Sequence, residues 1–244
     1  MLRPLIVAIQ FLTRLPVPTL GEISEKQIGH SMLYYPLVGL IIGGVLVALQ
    51  LALGGAPVPL EAALLLVAWI AITGGLHIDG LADSADAWIG GLGNRARTLE
   101  IMKDPRCGPM GVVAIVAVLI VKFAALEALV TAGDWLALLI APVLARTALP
   151  ALFISTAYVR ESGLGSTLAA NIPRNAAIAV VGVTLAAIPF AAGLRGFWML
   201  IVAVAVFLGL RRAMMARIGG TTGDTAGAVV ELLETAVLVV AGLH

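Results

Sequence analysis

The sequence predicts an all-α, polytopic membrane protein built as one helical bundle, and three observations carry that reading. Of its 244 residues, 61% are hydrophobic and 12% charged, with a mean hydropathy of +1.07, whereas soluble domains run at about 45–50% apolar and about 25% charged. Apolar runs recur at close to the roughly 20 residues that a transmembrane helix needs. Basic residues gather on one side of those runs. A soluble globular enzyme is excluded, and the length has room for about six to eight spans and no separate soluble domain. Residues 1–244 are therefore expected to form a single membrane-embedded domain. The net charge of +1 offers no basic field for nucleic acid, and the single Cys107 supports neither an intrachain disulfide nor a cysteine metal cluster.

Taken in order, residues 2–15 open with a short apolar run that Gln10 interrupts and that Arg14, Pro16 and Pro18 follow. That run is too short to span and lacks a cleavage site, so it predicts an interfacial or re-entrant helix rather than a signal peptide. Spans are expected at residues 32–53, 57–76, 109–131, 135–156, 174–193, 197–213 and 224–242, about seven helices within the range of six to eight. Gly54 and Gly55, Gly133 with Asp134, and the stretch 193–196 supply the turns. Alternating the loops places all but three of the 15 Lys and Arg on one side, the exceptions being Arg195 opposite and Lys122 and Arg146 inside spans. The positive-inside rule makes the crowded side cytoplasmic. Lys122 is expected to snorkel, and Arg146 needs an anionic partner or an aqueous cavity. Gly219, Gly223 and Gly227 recur at four-residue steps and are read as a packing seam on the last helix.

The acids are the strongest local signal. Asp79, Asp83, Asp86, Glu100 and Asp104 share one loop. In HIDGLADSADAW the aspartates stand at i, i+4 and i+7, which at about 100° per residue puts them within about 60° on a helix. Such crowding repels unless a cation offsets it, and carboxylates without cysteine or clustered histidine suit a hard ion, Mg²⁺ before Mn²⁺ or Ca²⁺. Mg²⁺ takes phosphate oxygens as further ligands, so a phosphate-bearing substrate is implied; the bland alternative is a solvated acidic face. Lys103 and Arg106 flank Asp104 in a pattern that fits a polyphosphate ahead of a basic anchor to lipid headgroups, since an anchor needs no interleaved Asp. In residues 219–234, Asp224 and Glu231 share a helix face, and Glu231 should face the bundle interior. Asp224 is equally readable as an N-terminal helix acid. His77 is read as structural before metal ligand or proton shuttle, and Arg160 as a phosphate contact or an anchor.

The runs FLTRLPVP (11–18), YYPLVGLIIG (34–43), GGLHIDGLADSADA (74–87), EIMKDPRCGPMG (100–111), YVRESGLG (158–165) and GGTTGDTAGAVVEL (219–232) together resemble the cobalamin synthase family, adenosylcobinamide-GDP ribazoletransferases. The chain departs from the family pattern at Ala87, Pro105 and Val159, none of which removes a carboxylate or a cation. The resemblance implies a membrane-bound, Mg²⁺-dependent phosphotransferase that joins GDP-activated adenosylcobinamide to α-ribazole, or its 5′-phosphate, with release of GMP. On that basis Asp79, Asp83 and Asp104 are expected to hold one or two Mg²⁺ ions, and Asp86 to be a further ligand or the base. Lys103 and Arg106 would act on the diphosphate. Arg160, Thr222, Asp224 and Glu231 would bind substrate, with the N–H groups of Thr225 and Ala226 free to hold a 5′-phosphate. The expected partners are these two substrates and the lipid of a bacterial or archaeal inner membrane, with self-association open. The competing classes are a CDP-alcohol phosphotransferase, whose DxxDGxxAR pattern residues 79–83 do not meet, and an ion-coupled transporter.

Sidedness is testable directly. In a Cys107→Ser background, Asn94→Cys should react with an impermeant thiol reagent in inside-out vesicles and stay unlabelled in intact cells.

Overall fold

A computed structural model describes residues 2–243. The short first helix is present as α1 (Leu2–Leu12), which at about 1.5 Å per residue cannot cross a membrane. α2 (Glu25–Ser31) runs through a 3₁₀ turn into α3 (Tyr35–Ala52). α4 (Val58–Thr73) ends at Gly74 and Gly75, both at positive φ, and the chain turns by 89° into α5 (Leu76–Gly90). α6 (Arg95–Ile101), α7 (Pro109–Ala132), α8 (Leu136–Ser155), α9 (Leu164–Asn171), α10 (Arg174–Ile218) and α11 (Gly223–Gly242) complete the chain.

Among the described residues, five helical stretches are long and apolar enough to cross a membrane, or six if α4 and α5 count as one bent span; the chain is a multi-pass membrane protein. The expected count of about seven differs because residues 174–193 and 197–213 lie in one element. That element is broken, however. Gly193 takes φ 55° and ψ −139°, which only glycine adopts easily, and Gly196 packs against the Ile188 backbone. Arg174 and Arg211 both reach the end of α8, donating to the Ile154 and Ser155 carbonyls at 2.6 Å. α10 is thus a hairpin whose two arms are the two expected runs. At its turn Arg195 bonds the Ala241 carbonyl and pairs with Asp134 at 2.8 Å, at the opposite end of the bundle.

Close backbone approach organises the packing, as expected in lipid, where association rests on fit rather than on a hydrophobic drive. Gly39 and Gly43 of α3 lie on the α8 backbone at Pro142 and Leu138, and Gly227 of α11 on His77 of α5. The expected seam on the last helix is corrected here: Gly219 ends α10, Gly223 begins α11, and only Gly227 sits in an interhelical contact.

Among the described residues, four charges also cluster together in the core. Lys122 Nζ donates to Glu231 Oε2 at 2.7 Å and Glu234 Oε2 at 2.6 Å, lies 4.9 Å from the Trp69 ring centroid, and does not snorkel. Arg146 finds its anionic partner in Glu234. Lys122 is 2% exposed and Arg146 and Glu234 are 0% exposed, so two cations and two anions balance out of reach of water. Removing one partner strands a buried charge. Lys122→Met should therefore destabilise the protein by about 3–5 kcal/mol, while Lys122→Met with Glu231→Leu costs less than the single change, as thermal unfolding in detergent would measure.

Candidate functional site

The bend at Gly74 and Gly75 is what makes the site. It redirects α5 away from the α4 axis by 89°, and three aspartates on one face make α5 costly to hold within an apolar layer. Arg14 supports the corner, its N–H donating to the Ile72 carbonyl at 2.7 Å. Gly80 then lets α5 approach α11 closely, since a Cβ there would fall 2.7 Å from the Asp224 carbonyl oxygen. Asp79 and Asp224 thereby line one cavity. Burial, followed by Asp79 and Asp224 and less strongly by Asp86, pushes the Asp83 carboxyl up to about 6, against the opposing effect of Arg160.

A second loop is stitched to this corner by backbone pairing: Val159 N–H donates to the Thr221 carbonyl at 3.0 Å, and Thr221 N–H to the Ala157 carbonyl at 2.8 Å. The pairing carries Arg160 onto Asp224, with which it forms an ion pair, and Arg160 also donates to the Met102 carbonyl at 3.2 Å. Asp79, Asp83, Asp224 and Arg160 thus come together from three segments far apart in sequence.

Other expected site residues have different work. Asp86 accepts the Gly108 N–H at 2.7 Å and the Gly111 N–H at 2.9 Å, so both its oxygens anchor the start of α7. Asp104 is clamped by Arg106, whose Nε and terminal nitrogen donate at 2.9 and 2.6 Å. Those side-chain bonds, with the Arg106 backbone N–H, hold the Asp104 carboxyl down at about 2. Lys103 is exposed. Thr222, expected to bind substrate, is 0% exposed and caps α11. Its hydroxyl and carbonyl take the N–H groups of Thr225 and Ala226 at 3.2 and 3.1 Å, so those donors are not free for a phosphate. Glu231 is bound to Lys122, not brought to the other acids. Two contributors were missed in sequence, Gly80 and the aromatic lining of the cavity by Phe11, Tyr35 and Phe153. The glycine between Asp79 and Asp83 was the available signal for the first; nothing local marks the second.

Among the described residues no three His, Cys, Asp or Glu side chains form a ready-made metal shell. The donor set still suits a hard cation. Asp83 is raised first by burial and then by the neighbouring Asp79 and Asp224, with Arg160 opposing, and Mg²⁺ commonly takes only one or two carboxylates, with water and substrate phosphate completing its shell.

Residues 4–242 match the family described as Cobalamin-5-phosphate synthase. The chain belongs to that family. It is 54% identical over 235 residues to an adenosylcobinamide-GDP ribazoletransferase of Pseudomonas fluorescens, covering 96% of this chain and 97% of the relative. Proteins of the same name are 53% identical in Pseudomonas aeruginosa, covering 99% and 98% of the two chains, and in Stutzerimonas stutzeri, covering 97% and 96%. No solved structure matches. Membership of the Cobalamin-5-phosphate synthase family sets aside the lipid-enzyme alternative. The transporter alternative also loses its footing, because Glu231 and Glu234 are neutralised by Lys122 and Arg146.

The raised Asp83 carboxyl sets a pH signature. Its folded value of about 6 lies above the ordinary 3.8, so the folded state holds the proton more tightly than the unfolded chain. Its contribution is full below the ordinary value and is lost as pH rises through about 6. In detergent with a chelator, Asp83→Asn should melt above wild type at neutral pH, and the gap should close in acid; matching profiles would show that Asp83 carries no such strain.

Proposed function

We propose that this chain is a transferase joining GDP-activated adenosylcobinamide to ribazole, or its 5′-phosphate, with release of GMP. The observation that carries the reading is similarity along nearly the whole chain to relatives bearing that name, in a family named for cobalamin 5-phosphate. A ribazole hydroxyl oxygen forms a bond to the phosphorus attached to cobinamide, the bond from that phosphorus to the GMP oxygen breaks, and GMP leaves with the electron pair. The hydroxyl proton passes to a carboxylate, for which Asp79 and Asp83 are at hand.

Asp79 and Asp83, with Asp224 across the cavity, would hold Mg²⁺. That ion, when bound, supplies charge neutralisation at the diphosphate oxygens. Arg160 orients Asp224 and adds a positive charge beside it. Lys103 and Arg106 lie on the adjoining loop, where a long anionic leaving group needs cations, and Arg106 can exchange its bond with Asp104 for a phosphate. Asp86 acts at one remove by fixing the start of α7. The site faces the cytoplasm, where nucleotides are, in a reading supported by the basic side chains at this end: Arg95 reaches the Ile218 carbonyl and Arg217 the Trp88 carbonyl.

Purified protein in detergent, given GDP-cobinamide, ribazole and Mg²⁺, should release GMP, and chelation should stop it. Asp79→Asn should lower kcat by about 100-fold or more while the protein remains folded. No GMP release with any divalent ion would defeat the reading.

A further inference from the structure

Beside the carboxylates lies a cavity of about 210 Å³, largely apolar, walled by Phe11, Tyr35, Leu149, Phe153 and Leu168, with Asp79 and Asp224 in its lining. Its walls come from α1, α3, α8 and α9 as well as from α5 and α11, so elements that contribute no acid to the site nonetheless converge on it. A cavity of about 150 Å³ takes one benzene ring. The volume here has room for a second, fused ring.

Two wall residues keep an unpaired polar atom, Tyr35 at its hydroxyl and His77 at Nδ1. His77 is 3% exposed, and its Nδ1 has no hydrogen-bond partner. Buried polar atoms are normally paired, so an occupant that carries a ring nitrogen or another polar atom is favoured over a purely aliphatic one. A lipid chain would fill the volume and offer neither the His77 ring nor the Tyr35 hydroxyl a polar partner.

We propose that this cavity receives the planar heteroaromatic base of the ribazole substrate, with the aromatic and aliphatic walls enclosing the rings and His77 bonding a ring nitrogen. The ribose then projects towards Asp79 and Asp224, where the reacting hydroxyl is required. This assignment rests on the proposed ribazole transfer and adds to it a specificity-determining surface, made by α1 and α9, that is separate from the residues handling phosphate.

The test uses the whole protein in detergent. His77→Phe keeps a ring of similar size without its nitrogens, and it should raise the KM for ribazole about tenfold while leaving the KM for GDP-cobinamide unchanged. A benzimidazole riboside alone should raise the melting temperature of wild type and not of His77→Phe. A riboside whose base carries a third fused ring should be a poor substrate for wild type and a better one for Leu168→Ala, which enlarges the cavity. A His77→Phe effect on the GDP-cobinamide KM alone, or an octyl chain that protects both proteins equally, would overturn the assignment. If wild type released no GMP, the ribazole-transfer reading would fail by itself, and the thermal shift would still decide whether the cavity takes the heterocycle.

Discussion

Lys122 sits near the middle of an apolar helix, and a charge there persists only if an opposite charge touches it. Glu231 and Glu234 meet that demand from α11, Arg146 balances them from α8, and the Trp69 face closes over the ammonium from α4. Because each partner occupies a fixed height and face on its helix, the set allows one rotation and one depth of α11 relative to its neighbours. A purely apolar contact in lipid has little preference for register, since sliding trades one methyl contact for another. The ion set therefore fixes where α11 begins, and with it the place of Asp224.

From that fixed point the polar end is assembled by short-range ties. Gly80 and Gly227 bring α5 against α11 at van der Waals distance, the pairing of Val159 with Thr221 brings in Arg160, and the Asp86 carboxylate holds the start of α7. None of these ties is long, and each involves a backbone group on at least one side. The acids that face one another are thus held by atoms that do not themselves react, which is how like charges can be kept close before any cation arrives.

Much of this was legible in sequence. Apolar runs marked the bundle because lipid demands them, and the i, i+4, i+7 aspartates marked the site because such crowding is unfavourable without a purpose. Lys122 and Glu231 were each visible as ionisable groups inside spans, yet their pairing was not, because they stand 109 positions apart and only the packing of α7 on α11 joins them. The anchoring bonds of Thr222 and Asp86 were hidden for a related reason. Hydroxyls and carboxylates that cap helices have the same composition as those that hold ligands, and only the location of the nearest N–H separates the two. The cavity left no local trace, since its walls are ordinary core residues from six helices.

The α10 hairpin begins beside Ile154 and ends beside the segment that carries Thr221, so it leaves the polar end and returns to it. An excursion of that kind is neutral to topology. The segments on either side of it, which bear Arg160 and Asp224, would keep the same sidedness whether the detour were long, short or absent.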